Sequence, residues 1–216
     1  MTNSTTIDTI TQWLGSGSIN LFGLPFAGKD TQAELLVSSL GGVRLSGGEI
    51  LRNSNIPPHV KAAMDAGDLA PTQEYINIVL PYLSRKDFKG KPLILSSVGR
   101  WHGEENGVLQ ATEKSGHPTK AVIFLTIDEN TLRYRWKIAQ DSGDRGERAD
   151  DAEHILDNRL SEFIDKTLPV IDHYRNLGLL IEIDASGDVQ SVYEQILLAL
   201  ENRASGSAYG ASGFGN

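Results

Sequence analysis

Gly23-Leu24-Pro25-Phe26-Ala27-Gly28-Lys29-Asp30-Thr31 decides how the rest of the chain is read. It is a glycine-framed loop ending in Gly-Lys, set between an apolar run (Ile19, Leu21, Phe22) and a helix-like segment from Thr31 to Leu40. Strand, loop and helix in that order are what a phosphate-binding P-loop needs; a G-x-x-x-x-G-K match alone also suits chance or a mere tight turn, and its place directly after a strand favours the P-loop. The glycines let the backbone curl so that several N–H groups point inward. Lys29 supplies a mobile cation for terminal phosphates, and the helix N-terminus adds its partial positive charge. The strict pattern has Ser or Thr directly after the lysine. Here Asp30 stands in that slot and Thr31 follows it.

Outward from the loop, strands and helices alternate. Short apolar runs at Ile19–Phe22, Val43–Leu45, Leu93–Leu95, Ala121–Leu125 and Leu179–Ile183 predict strands, most without polar alternation, as for parallel strands covered on both faces. Helical spacing falls at Thr72–Ser84, Asp128–Ile138, Ala149–Lys166 and Asp188–Leu200. The last carries Val189, Val192, Ile196 and Leu200 on one face, with Ser186 as its expected cap. Ile7, Ile10, Trp13 and Leu14 predict a short amphipathic helix before Gly15-Ser16-Gly17-Ser18, read as a flexible joint. The alternation predicts an α/β fold: a P-loop NTPase-type parallel sheet flanked by helices. The Gly/Ser/Ala-rich tail, 204–216, is expected to be disordered.

Composition limits the functions open to such a fold. The 216 residues, 39% of them hydrophobic, suffice for one well-buried domain. The formal net charge of −8 argues against a dedicated nucleic-acid binder, although a focused positive cleft can still hold anionic nucleotides. With no cysteine there is no disulfide framework, thiolate zinc site or cysteine nucleophile. No apolar run reaches the length of a membrane span and the polar first residues do not read as a signal peptide, so a cytoplasmic protein with no membrane partner is expected.

Two further segments sharpen the reading. Ser46-Gly47-Gly48-Glu49-Ile50-Leu51-Arg52 and Met64-Asp65-Ala66-Gly67-Asp68-Leu69-Ala70-Pro71 sit where a small helical insert would follow the second strand. Near the far end come Arg148-Ala149-Asp150-Asp151 and Arg159-Leu160. Arg148 and Arg159 are three helical turns apart, so both guanidiniums can face the loop opening. Singly, these arginines read equally well as surface charges in salt bridges. Together with the P-loop, the segments resemble the adenylate kinase family of nucleoside monophosphate kinases, over about residues 19–200.

The resemblance implies roles. Gly23, Gly28, Lys29 and Thr31 match residues that cradle the donor phosphates, with Arg135 on the donor base and the Gly187 carbonyl receiving its amino group. Arg52 and Arg100 match clamps on the acceptor phosphate. Leu69 and Ala70 match the acceptor base pocket, beside Gly47. Arg148 and Arg159 match the pair that embraces the transferring phosphoryl group, with Lys29 and Arg100 completing the catalytic set. The implied layout is a core over 19–203, an NMP-binding insert at about 47–78 and a short lid at about 139–147. ATP, a nucleoside monophosphate and Mg²⁺ are the implied ligands, and a monomer is expected.

The departures are as informative. The family's Asp-Gly-Phe-Pro-Arg reads Ser96-Ser97-Val98-Gly99-Arg100, so the aspartate that orders the metal's water shell is a serine. Thr-Gly-Asp reads Gly47-Gly48-Glu49, and Phe26 and Asp30 replace loop glycines. Asp30, a hard oxygen ligand, is the candidate to take over the metal work. The family's adenine-reading glutamine falls at Glu104, which when ionised offers only acceptors and so favours guanine over adenine. Its bland alternative is a helix-starting residue that points to solvent. His102 reads as a surface loop residue. The expected activity is reversible transfer of the ATP γ-phosphoryl to an NMP; the alternative is a nucleotide-binding protein of the same fold that has lost turnover and acts as a sensor or partner.

Overall fold

The computed structural model describes residues 4–142 and 153–206. Its strands are β1 (Ser18–Gly23), β2 (Val43–Ser46), β3 (Leu93–Ser96), β4 (Thr119–Thr126) and β5 (Leu180–Asp184). All pair in parallel, in the order β2-β3-β1-β4-β5. Each of the five apolar runs forms a strand. β1 and β3 are buried along their whole length because helices cover both faces, whereas the edge strand β5 alternates buried and exposed residues.

Ten α-helices are described: α1 (Ser4–Leu14), α2 (Lys29–Leu40), α3 (Gly47–Arg52), α4 (Pro58–Asp65), α5 (Thr72–Val79), α6 (Glu104–Lys114), α7 (Glu129–Ser142), α8 (Glu153–Glu162), α9 (Leu168–Asn176) and α10 (Val189–Ala204). On one face of the sheet Ile10 and Leu14, Leu36 and Leu40, and Ile196 and Leu200 close over Ile19, Leu21, Ile94 and Ile123. On the other face Val170, Ile171 and Tyr174 pack on Phe22 and Val122. A third cluster ties Ile50, Val60, Tyr75 and Val79 of the helices between β2 and β3 to Leu93, Leu95 and Val98. The chain leaves β1 toward β2 on one side and later crosses β1 to reach β4, so a crevice opens at the carboxyl end of β1. Such a switch point is where open α/β sheets bind ligands.

The sequence reading needs four corrections. Gly15–Ser18 is no flexible joint. The Ser18 N–H donates to Pro118 O at 2.8 Å, Gly17 O accepts from Leu93 N at 3.0 Å and His117 Nδ1 lies 2.7 Å from Ser16 O, so the turn is fixed and α1 belongs to the core. The cap of α10 is Asp188, whose side chain accepts from Ser191 N, while Ser186 donates its own N–H to Asp184. The Thr72–Ser84 segment is α5 followed by a 3₁₀ stretch, Leu80–Ser84, where Pro81 lacks the N–H an α-helix would use. Beyond α8 a π-type turn, Phe163–Thr167, leads into α9, an element the sequence reading did not identify, with Pro169 in its first turn. Of the expected tail, 204–206 close α10 and the turn after it, and 207–216 lie outside the described residues.

Candidate active site

The loop after β1 does what its glycines imply. Gly23 pairs with Leu125 so closely that a Cβ there would stand 2.8 Å from Leu125 O, which bars any side chain. Phe26, in a glycine slot, nevertheless keeps a left-handed backbone at φ 61°. That conformation is uncommon for a bulky residue and signals a loop shape imposed by its surroundings. Gly28, also left-handed, hands the chain to α2, whose first-turn N–H groups face the crevice with no side-chain cap. Lys29 folds back on its own loop, with Nζ donating to Gly23 O at 2.9 Å and Leu24 O at 2.8 Å. A cation tethered to two carbonyls is held at the loop mouth, where anionic phosphates would compete for it.

At the next residue, the Asp30 Oδ1 accepts from Ser96 Oγ at 2.8 Å. Ser96, at the end of β3 where the family pattern has an aspartate, is thus bonded to a carboxylate on α2. Arg44 balances the charge: Nη1 lies 3.4 Å from Asp30 Oδ1 while Nη2 reaches both oxygens of Glu49 at 2.7 and 2.8 Å. The sequence reading had not identified Arg44, because an arginine inside a short strand reads as an edge charge. Asp30, Thr31 and Ser96 all line the cleft. They are the hard oxygen set that fits a magnesium ion, which also prefers to keep water and bind through substrate phosphates.

The far wall is built from the segment between β2 and β3 and from the loop after β3. That loop is pinned from below by Asn20, whose side chain donates to Val98 O at 2.7 Å and accepts from Val98 N at 3.3 Å. From the side, the Tyr75 hydroxyl accepts from Gly99 N at 2.8 Å. The same hydroxyl lies 2.7 Å from where a Cβ on Gly47 would sit, so the threonine of the family pattern could not coexist with Tyr75 in this position. Tyr75 was hidden in the sequence because a tyrosine on an apolar helix face reads as core.

Glu104 begins α6 but does not point to solvent. It is 3% exposed and lines the cleft with Leu69, Ala70 and Tyr75. Its Oε2 accepts from Trp101 N at 3.0 Å. Its Oε1 is buried and has no hydrogen-bond partner among the described residues. Burial raises its pKa to about 7, against the pull of the Trp101 N–H, Thr72 and Arg100. His102 is exposed, as expected.

Arg52, Arg100 and Arg159 line the same cleft of about 340 Å³ as Lys29. Burial and then repulsion from Arg159 hold the Arg100 guanidinium down at about 10. Tyr75, Glu162 and Glu104 pull the other way, so this cation stands in a desolvated, mixed-charge wall of the cleft. Arg159 is carried there by α8, which is bonded to the insert: Asn158 donates to Ala66 O and Asp68 Oδ1, and Glu162 Oε2 accepts from Leu69 N at 3.1 Å.

Of the remaining expected site residues, Arg135 donates through Nη2 to Ala185 O and to the Gly187 carbonyl at 2.8 Å. These two residues meet each other, apart from the walls of the main cleft. Gly47 lies behind the cleft wall, which Gly48 forms in its place. Arg148 lies outside the described residues, as do 143–147 of the expected lid; 139–142 continue α7.

The model of the family described as adenylate kinase matches residues 21–179. The adenylate kinase of Synechococcus sp. (strain CC9902) is 33% identical, covering 83% of this chain and 96% of its own length. That of Prochlorococcus marinus (strain MIT 9211) is 34% identical over 82% of this chain and 94% of its own. That of Methanosarcina barkeri (strain Fusaro / DSM 804) is 28% identical over 87% and 100%. No helix among the described residues is long and apolar enough to cross a membrane. With its P-loop, parallel sheet and arginine-lined cleft, this chain belongs to the adenylate kinase family.

Proposed function

We propose that the protein is a nucleoside monophosphate kinase that moves the γ-phosphoryl group of ATP to an NMP. The observation that carries this is the gathering of Lys29, Arg52, Arg100 and Arg159 around one cleft at the mouth of the P-loop. A phosphate oxygen of the NMP forms the new bond to the γ-phosphorus. The bond from that phosphorus to the bridging oxygen breaks, and its electron pair leaves with ADP. Such a transfer asks the protein mainly to align, to exclude water and to neutralise charge.

In this reading the N–H groups from Gly23 to Thr31 and the Lys29 ammonium hold the β- and γ-phosphates. Arg52 and Arg100 fix the acceptor phosphate. Arg159, with Arg148, neutralises the equatorial oxygens in the transition state, where planar guanidiniums match phosphoryl geometry better than an ammonium does. Arg135 and Gly187 receive the donor base, and Leu69 and Ala70 bound the acceptor base. Mg²⁺, held through Asp30, Thr31 and Ser96, would supply charge neutralisation on the phosphates when bound. The short lid near 139–147 and a monomeric, cytoplasmic state belong to the same proposal.

A binder without turnover would need donor contacts and an acceptor pocket, but not Arg159 set beside Arg100 at a cost in mutual repulsion. The test is a coupled assay of ADP formation from ATP with AMP, GMP, CMP, UMP and their deoxy forms. Turnover with any of them supports the kinase. ATP binding without turnover on all of them supports the sensor reading.

A further inference from the structure

On the reading that this is a nucleoside monophosphate kinase, we infer that Glu104 and Tyr75 make its acceptor site select a guanine nucleotide over an adenine one. The starting point is the buried Glu104 carboxylate. One oxygen is used by the Trp101 N–H, and Oε1, in the wall of the acceptor side, has no partner among the described residues. A buried acceptor left open is unfavourable until a donor arrives, so the group that best completes this site carries N–H bonds.

Tyr75 supplies the opposite character. Its hydroxyl oxygen accepts from Gly99 N, which leaves the O–H proton for a second partner. Burial pushes the phenol well above its ordinary pKa, so it stays a donor throughout the working range. The absence of a side chain at Gly47 is what gives the hydroxyl its place, 2.7 Å from where a Cβ would be.

The base edges then separate. Guanine offers N1–H and N2–H₂ as adjacent donors, with the O6 acceptor beside them. The donors suit Glu104 and O6 suits the Tyr75 hydroxyl. Adenine offers N6–H₂ next to the N1 lone pair, which, once Glu104 is ionised above about pH 7, would face the carboxylate without a proton between them. Uracil has a single N3–H between two carbonyls, and cytosine repeats adenine's donor-and-lone-pair pattern. A site with buried hydrogen-bonding groups discriminates strongly against a ligand that leaves them unpaired.

The experiment compares kcat/KM for GMP, AMP, IMP and UMP at saturating ATP and about pH 8, above the Glu104 pKa of about 7, with wild-type protein, Glu104→Gln and Tyr75→Phe. GMP should exceed AMP by about tenfold or more. IMP, which keeps N1–H and O6 but lacks the 2-amino group, should fall between them. Glu104→Gln should lower the GMP-to-AMP ratio by about tenfold or more, chiefly through KM, and Tyr75→Phe should weaken GMP and IMP alike. If a variant fails to fold, the wild-type order of GMP, IMP and AMP still decides. AMP or UMP matching or exceeding GMP in the wild type overturns the inference and leaves the kinase standing. Should no monophosphate turn over, the kinase reading fails, and calorimetric titration with GMP and with AMP reads the same preference directly.

Discussion

The two sides of the cleft are built by different means. The proposed donor side is one contiguous stretch, Gly23 to Thr31, and it presents mostly backbone: N–H groups at the start of α2, carbonyls that tether Lys29, and a glycine pressed against β4. The proposed acceptor side is assembled from α3, α5, the turn at Gly67–Ala70, the loop after β3, the start of α6 at Glu104 and the last turn of α8 at Arg159, and it presents side chains. On the donor side Phe26 replaces a glycine, yet the backbone keeps the glycine's left-handed shape. On the acceptor side the replacements move groups: a hydroxyl stands on Tyr75 where Gly47 has none, and a carboxylate stands at Glu104. A backbone site therefore tolerates substitution by holding its shape, and a side-chain site responds by redistributing its chemistry.

The largest expected effect is at the residue that serves both sides. Arg159→Ala should lower kcat by about two to three powers of ten, as for other groups that neutralise charge only in the transition state. ATP affinity, measured by calorimetry, should change far less, because the donor grip is the P-loop's. A variant that turned over like wild type would make Arg159 a structural cation.

Next comes the burial of Glu104. Its pKa is raised from 4.5 to about 7, so the folded state holds the proton more tightly than the unfolded one. Below pH 4.5 both states are protonated and nothing is lost. As the pH climbs through that value toward 7, the unfolded chain ionises first and stability falls, by about 3 kcal/mol once both are ionised. Glu104→Gln has no such titration. Denaturant unfolding should therefore show the variant gaining about 3 kcal/mol on wild type between pH 4 and pH 8. A difference independent of pH would mean that Glu104 is not held as the structure holds it.

The third effect tests the moved hydroxyl. Gly47→Thr restores the family's residue but places a Cβ 2.7 Å from the Tyr75 hydroxyl and 3.2 Å from Ser97 O. Overpacking of this kind should destabilise by about 2 kcal/mol. Tyr75→Phe alone strands the Gly99 N–H, for about 1–3 kcal/mol. Combined, the two losses should fall short of their sum, because the phenyl ring gives the threonine room; a strictly additive pair would show the positions to be uncoupled.

These cases show what the chain's letters disclose. All five strands were legible as short apolar runs; β1 and β3 are buried on both faces and show no alternation, and β5 alternates with the strand's period of two. The P-loop was legible because its function needs particular residues in consecutive order. α9 was not, since Pro169 and the π-type turn before it break the helical period at that point. The fixed Gly15–Ser18 turn was read as flexible because its hydrogen bonds come from Leu93, His117 and Pro118, all far distant in sequence, which composition cannot reveal. Tyr75 and Arg44 were missed for the same reason: each gains its role from a partner on another element.

The smallest effect concerns the Asp30–Ser96 pair, where both sides meet. If the carboxylate on α2 carries the metal work of the missing β3 aspartate, Asp30→Gly should raise the magnesium concentration for half-maximal activity by about tenfold, the usual scale for losing a group that orders a metal's shell. Adding Ser96→Asp to that variant would return the carboxylate to the far side of the same 2.8 Å contact. Magnesium dependence should then come back most of the way to wild type. Arg44 is the competing partner of Asp30 at 3.4 Å, and it predicts a different pattern: an unchanged magnesium requirement, a lower melting temperature for Asp30→Gly, and no rescue by Ser96→Asp, because an acid on β3 would not restore the contact to α2. Magnesium titrations of the single and double variants, run beside their thermal unfolding, separate a metal-ordering carboxylate from one that only balances an arginine.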